Sequence, residues 1–220
     1  MASTKKRLSL KPRKIPQQPR AEQTVATILE AAARILETKG LAGLNTNAVA
    51  QRAGVSIGSL YQYFPGKDAL IVALSLRERA LFIADALEAL HQPTGRLALR
   101  HMIMVTVHQQ LRRPVLARLL DFEENRPPIA RELAASKGVI IDLIEQILAH
   151  DDIPPQPDVA VATHDLGVIL RAMVDAAGER GELDRVDLER RVSRALYGYL
   201  GMPHQDPATN VSNRSRRRSV

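Results

Sequence analysis

Apolar residues recur along most of this chain at the three- and four-residue spacing of a single helix face. The first such stretch contains Val25, Ile28, Leu29, Ala32, Ile35 and Leu36. It is followed by Lys39-Gly40, a pair typical of a helix end. Five or six further helical stretches follow, separated by proline- or glycine-containing breaks. No alternating strand pattern and no repeat of fixed period interrupts them, so the pattern predicts an all-α fold.

The two latest apolar stripes predict self-association. They run from Leu166 to Val174 and from Val192 to Leu200. A monomer of this size has little reason to leave two such helices exposed, and pairing them by twofold symmetry gives a four-helix bundle. The sequence therefore predicts a homodimer with Leu196 inside its interface.

Residues 45–64 contain the signals of two short helices joined by a tight turn. Asn45 is a good N-cap for a helix that runs to Ala53, and Gly54 permits the turn after it. Ser56 is a good N-cap for the next helix. With the longer helix ahead of them, these two helices predict a three-helix helix-turn-helix unit.

The second short helix has a small, polar outer face. Leu60 and Phe64 lie four residues apart and are expected to point inward, whereas Gly58 and Gln62 face outward. Small and hydrogen-bonding side chains of this kind suit the reading of base edges in DNA. The alternative is that the two tyrosines of this helix, at positions 61 and 63, are half-buried packing residues.

Residues 45–67 read NTNAVAQRAGVSIGSLYQYFPGK. This stretch resembles the signature of the TetR family of bacterial transcriptional repressors, with Asn45 replacing a threonine and Val49 an isoleucine. The resemblance implies an N-terminal DNA-binding domain, a larger C-terminal helical bundle domain, a homodimer and a small-molecule effector. Carried over by position, the residues that would touch a double-stranded DNA operator are Thr46, Asn47, Ser56, Ile57, Gly58, Ser59, Tyr61, Gln62, Tyr63 and Lys67.

Charge is concentrated at the two ends of the chain. The net charge is +7, yet residues 1–20 hold seven basic groups and no acidic one, and the end of the chain is arginine-rich. Basic tails of this kind usually meet nucleic acid, although they can also serve only as solubilising segments. We therefore divide the chain into a basic, extended and disordered arm (1–20), a helix-turn-helix domain (21–67), an effector-binding and dimerisation domain (68–202) and a basic, disordered tail (203–220).

Composition excludes several classes of chemistry. The chain has no cysteine, which removes disulfides, iron–sulfur clusters and thiol nucleophiles. Glu88 and His91 form one E-x-x-H pair, but a di-iron site needs two. A metal site formed by His101, His108 and His164 is poorly specified, so we predict no enzyme, no metal and no cofactor. No membrane span or signal peptide is indicated, and a cytoplasmic protein is expected.

Polarisable or amphipathic residues on otherwise aliphatic helices are candidates for the wall of an effector pocket. They are His101, Met104, Val105, His108, Phe122 and Met173. Each could equally fill the core, and the few aromatic residues weakly favour an aliphatic ligand. The competing interpretations are a helical DNA-binding or architectural protein without a sensor and, less favoured, an all-helical metal-dependent enzyme. A cavity in the second domain would distinguish a sensor from these.

Overall fold

The computed structural model of this chain describes residues 18–203, and the regular structure in that range is helical throughout. No strand occurs within it, which confirms the predicted all-α fold. None of these helices is long and apolar enough to cross a membrane. Most of the predicted basic arm, and the C-terminal tail from residue 204, lie outside the described residues. The elements are α1 (Pro19–Gly43), α2 (Thr46–Ala53), α3 (Ile57–Tyr63), α4 (Lys67–Leu87), a 3-10 turn (Glu88–His91), α5 (Gly95–Arg112), α6 (Pro114–Glu124), α7 (Pro127–Glu132), α8 (Ala134–Leu148), α9 (Val159–Glu179) and α10 (Arg185–Tyr199).

Local capping defines the two short helices of the helix-turn-helix unit. The Asn45 side chain accepts a hydrogen bond from the backbone N–H of Ala48 at 2.9 Å, which caps α2. Ser56 caps α3 in the same way, accepting from the N–H of Ser59 at 3.0 Å. Between them Gly54 has φ of +68°, a left-handed conformation that favours glycine. The two caps and the turn predicted from the sequence are all present.

The helix end predicted at Lys39-Gly40 is an interruption of α1. Gly40 has φ of +62° and leaves helical geometry there, after which helical residues resume as far as Gly43. A left-handed glycine breaks the run of backbone hydrogen bonds without the steric cost that a side chain would add. The chain is thereby turned toward α2.

A first hydrophobic core, here called the N-terminal core, joins the helix-turn-helix unit to α4, α6 and α7. Its fully buried members include Ile28 of α1, Leu60 of α3 and Leu70 of α4. Leu116 and Leu120 of α6 are buried in the same core. Three helices that follow the helix-turn-helix unit in the chain, α4, α6 and α7, therefore pack against it.

A second core lies between α5, α8, α9 and α10. It contains both late apolar stripes: Leu166, Leu170, Val174, Val192, Leu196 and Leu200 are all buried within the protomer. These side chains are therefore not free to form the predicted dimer interface. The sequence pattern identified the buried face of each helix, so a dimer formed through α9 or α10 would have to use the opposite face.

Leu196→Glu should unfold the protomer, because Leu196 is 0% exposed among apolar neighbours. An unpaired carboxylate there should cost about 3–5 kcal/mol of stability, a large part of what a domain of this size has. Denaturant unfolding monitored by circular dichroism measures this loss of stability. A variant that stays as stable as the wild type and only loses its partner would show that Leu196 is exposed in the free protomer.

Candidate nucleic-acid interface and ligand cavity

Helix α3 presents a small exposed face between two buried anchors. Leu60 and Phe64 are buried in the N-terminal core, as their spacing predicts. Ile57, Gly58 and Gln62 are exposed on the other side. Since α3 is short and its anchors are fully buried, its outer face is held in a fixed orientation.

The two tyrosines of α3 differ in their surroundings. Tyr61 is exposed, and its hydroxyl lies 3.1 Å from the hydroxyl of Thr46 in the first turn of α2. Tyr63 is half-buried and packs against the N-terminal core, so the packing interpretation suits it better than it suits Tyr61. The hydrogen bond between Thr46 and Tyr61 fixes α2 relative to α3.

The remaining candidate DNA contacts surround these helices. Asn47 and the cap Ser56 are exposed, and Ser59 is half-buried with its hydroxyl 2.8 Å from that of Ser56. Lys67 stands at the start of α4, where its ammonium donates to the backbone carbonyl of Leu41 at 2.6 Å. In the free protein Lys67 therefore ties α4 to the end of α1, a structural role that the sequence did not indicate.

A cavity of about 390 Å³ opens between α4, α5, α6, α8 and α9. This volume lies in the range of small-molecule sites. Most of its wall is apolar, with Phe82 from α4, Met102 from α5 and Ile144 from α8. Two further wall residues, Leu116 and Leu120 of α6, also belong to the N-terminal core.

The six pocket residues predicted from the sequence all lie off this cavity wall. The ring of His101 bonds the carbonyl oxygen of Asp85 at 2.8 Å, and that of His108 lies 3.1 Å from Arg185. Phe122 is 66% exposed and Met104 is also exposed. The other two, Val105 and Met173, are half-buried against the second core.

The predicted wall residues of α5 differ from the observed ones because the two sets lie on different faces of the helix. On α5 the predicted positions 101, 104, 105 and 108 share one face, whereas positions 102, 106, 109 and 110 line the cavity. The two faces are offset by one residue, or about 100° around the helix. Residue type alone did not indicate which face of α5 meets the other four helices.

The polar end of the cavity contains two carboxylates that share one guanidinium. Arg171 of α9 lies 3.6 Å from Asp121 of α6 and 3.5 Å from Asp175 one turn further along α9. Burial, and then the negative charge of Asp175, raise the pKa of Asp121 to about 6. Burial likewise raises the pKa of Asp175. Sequence reasoning missed these residues, although a carboxylate in the apolar run of α9 was a usable signal.

The other charged groups of this wall are paired more closely. Arg79 of α4 contacts both carboxylate oxygens of Glu124 and donates to the hydroxyl of Ser136 at 3.2 Å. By contrast, the hydroxyl oxygens of Ser75 and Thr163 are buried and have no hydrogen-bond partner among residues 18–203. Both oxygens are inaccessible to solvent, so they do not face the open cavity.

Asp121→Asn should stabilise the protein increasingly as pH rises from about 4 to about 7. With a folded-state pKa raised from 3.8 to about 6, the carboxyl binds its proton more tightly when folded. Its contribution to stability is therefore complete at low pH and is lost as pH rises through about 6. Above that pH the variant should gain about 1–2 kcal/mol, after allowing for the third of the side chain that stays accessible.

Denaturant unfolding of both proteins across this pH range measures the difference. Asp142→Asn, which removes an exposed carboxylate of α8 outside the cavity wall, is the control. If the difference in unfolding free energy between Asp121→Asn and the wild type stays constant from pH 4 to pH 7, the burial of Asp121 is contradicted.

Ion pairs connect the cavity wall to the helix-turn-helix unit. Arg113, which lines the cavity, donates to both carboxylate oxygens of Glu37 at 2.7 and 2.8 Å and to Glu30 at 3.1 Å. These hydrogen bonds lower the pKa of Glu37. Arg126, just after α6, donates to both oxygens of Asp68 in the first turn of α4 at 3.1 Å. A displacement of α6 would therefore move α1 and α4 with it.

The metal hypotheses find no support in the described range 18–203. Glu88 and His91 lie 3.2 Å apart, but both are exposed at the 3-10 turn. No group of three His, Asp or Glu residues within that range is placed to hold a metal ion. His164 instead lies 3.7 Å from its neighbour Asp165.

Two family models match the chain. Residues 28–74 match "Bacterial regulatory proteins, tetR family". Residues 96–200 match "Tetracyclin repressor-like, C-terminal domain". The first match contains α2, α3 and most of α1, and the second contains the helices from α5 to α10 and most of the cavity wall.

Individual proteins agree with these matches. An uncharacterized HTH-type transcriptional regulator of Mycobacterium tuberculosis is 33% identical over 136 residues, which cover 59% of this chain and 63% of that protein. The HTH-type transcriptional repressor DrrR1 of Streptomyces coeruleorubidus is 34% identical over 108 residues, or 44% of this chain and 39% of that one. The chain thus spans less than two thirds of either relative.

Among solved structures, the fatty acid degradation regulator FadR from Bacillus halodurans superposes with a TM-score of 0.72. The match covers 87% of this chain and 100% of that one at 16% identity, so it shows a shared fold. The fold, both family models and the curated relatives agree in showing that the chain belongs to the TetR family of bacterial regulatory proteins.

Proposed function

We propose that this protein is a transcriptional regulator that binds a near-palindromic DNA operator as a homodimer. A small molecule held in the cavity would release it, and repression is the mode we propose. The observation that carries the proposal is the position of α6. This helix forms one wall of the cavity and also packs into the core that supports α3.

The exposed face of α3 is the surface we assign to the major groove. Gly58 lets the backbone approach the bases, and Gln62 can form two hydrogen bonds with a base edge. Asn47 and Tyr61 are also exposed, and Tyr61 is held beside α2 by its hydrogen bond to Thr46, so both residues can reach phosphates. The rigid caps at Asn45 and Ser56 support this assignment, since base reading requires a fixed helix.

The dimer contact we propose uses the outer face of α9. Val161, Val168 and Ala172 are exposed there and lie on one side of the helix at spacings of seven and four residues. Tyr199 of α10 donates to Asp165 of α9 at 2.9 Å, which joins the two helices beside this surface. Because Val168 also lines the cavity, a second protomer would cover that side of it.

Coupling between cavity and DNA would run through α4 and α6. Both helices line the cavity, and Arg113 and Arg126 fasten α6 to α1 and to the start of α4. A ligand that favours one position of α6 would change the separation of the two α3 helices in a dimer. Coupling of this kind is typically about 1–3 kcal/mol.

Gel shifts with DNA fragments from the neighbourhood of the gene test the proposal. A retained fragment should show two protected half-sites roughly 34–36 Å apart. Gln62→Ala should relax the base preference at one position while leaving phosphate contacts intact. If no fragment is bound more tightly than bulk competitor DNA, the proposal is overturned.

A further inference from the structure

The charge balance at the polar end of the cavity restricts what can bind there. Asp121, Asp175 and Glu124 supply three carboxylates, and Arg79 and Arg171 supply two guanidiniums. Arg79 is neutralised by Glu124 through two contacts. Within residues 18–203, that pairing leaves Arg171 as the only cation at ion-pair distance from either aspartate.

Arg171 satisfies neither aspartate well. Its ion pairs with Asp121 and Asp175 measure 3.6 and 3.5 Å. The hydrogen bonds from Arg113 to Glu37 in the same molecule measure 2.7 and 2.8 Å. With both aspartates ionised, the group carries one uncompensated negative charge, and carboxylate oxygens remain able to accept further hydrogen bonds.

The rest of the cavity favours an apolar molecule that carries a few polar atoms. Most of its wall surface is apolar, and aliphatic side chains and Phe82 contribute to it.

We propose that the cavity binds a small amphipathic cation, with an aliphatic body among the apolar side chains and a protonated amine beside Asp121 and Asp175. The inference rests on the ligand-responsive function proposed above. An amine donates up to three hydrogen bonds and supplies the positive charge that this group lacks. A carboxylate-bearing molecule would instead add a charge of the same sign as the excess one.

Octylamine, octanol and octanoate form a matched set of probes that differ only in the polar group. Isothermal titration of the full chain at pH 7 should show octylamine binding about tenfold more tightly than octanol, since a charge-assisted hydrogen bond is worth about that factor or more. Octanoate should bind most weakly. Tighter binding of octanoate, equal binding of all three, or binding of none would each overturn the proposal.

Variants of the two aspartates test where the amine of the ligand binds. Asp121→Asn combined with Asp175→Asn should remove the preference for octylamine over octanol. Asp142→Asn, outside the cavity, should leave the preference as it is. Retention of the full preference in the double variant would overturn the assignment of these two carboxylates.

The preference for the amine should also grow from about pH 5 to pH 7. Asp121 ionises in this range, whereas an alkylamine stays protonated throughout it. The charged groups around Asp121 are Arg79 from α4, Glu124 from α6 itself, and Arg171 and Asp175 from α9. His164 lies on the same wall, so the measurement is repeated on Asp121→Asn, which should flatten the pH dependence. If the preference for octylamine depends on pH in that variant as it does in the wild type, the role of Asp121 is contradicted.

Release of DNA is measured separately. If octylamine binds with the expected preference but never lowers operator affinity, the proposed ligand class is supported. The proposed release of DNA by a ligand is then overturned. If octanoate both binds best and releases DNA, the ligand response stands and the ligand class is overturned. The two proposals can therefore fail independently.

Discussion

Gly58→Gln should abolish specific DNA binding while leaving the protein folded. Gly58 lies in the first turn of α3, and a Cβ added there meets only the Ser56 hydroxyl, at an ordinary 3.8 Å. The long side chain can therefore be accommodated by the protomer and would project toward the DNA. Separating α3 from the bases should remove two or more contacts worth about 1–3 kcal/mol each, a loss of roughly 100-fold or more in operator affinity.

Gly138→Gln is the matched control for this variant. Gly138 is also helical, on α8, and a Cβ added there meets nothing within 4 Å. Both variants should be at least as stable as the wild type in thermal unfolding, because glutamine favours a helix more than glycine does, and only Gly58→Gln should fail in the gel shift. Wild-type affinity in Gly58→Gln would show that the start of α3 stays away from the DNA.

The helix-turn-helix unit was predictable because local interactions determine it. The caps at Asn45 and Ser56 bond backbone groups three residues away, and Gly54 needs only its own backbone conformation. The buried positions of Leu60 and Phe64 follow from helical spacing. Each of these signals lies within a few residues of sequence.

The cavity could not be located in the same way, because five helices far apart in sequence form it. Asp121 and Asp175 meet through Arg171 although α6 and α9 are separated by two other helices in the chain. The role of Lys67 was missed for a related reason, since its ammonium reaches Leu41 across 26 positions. Helical periodicity shows which face of a helix is apolar but not which neighbour it meets.

The same limit applies to the surface between protomers. Strong apolar periodicity in α9 and α10 marked the faces buried inside the protomer, including Leu166 and Leu196. The face of α9 that remains exposed combines Val161, Val168 and Ala172 with charged neighbours, and its periodicity is weak. A surface that must be stable in both water and a complex is expected to mix polar and apolar residues in this way.

Ala172→Glu should convert the proposed dimer to monomers and weaken operator binding. Ala172 is exposed on α9, so the protomer itself tolerates the larger charged side chain. In a twofold interface the substitution places two glutamates near the symmetry axis, where they repel one another and lose hydration. A monomer engages one half-site at a time, and loss of the second should cost about 100-fold or more in apparent affinity.

Light scattering at micromolar concentration measures the oligomeric state, and the gel shift measures the binding. Ala84→Glu introduces the same side chain at an exposed position of α4 away from the proposed interface and the cavity wall, and should change neither property. A dimer that persists in Ala172→Glu would place the contact on another surface. Monomers that still bind the full operator with wild-type affinity would show that each α3 acts alone, because the twofold arrangement is what should make the two half-sites bind together.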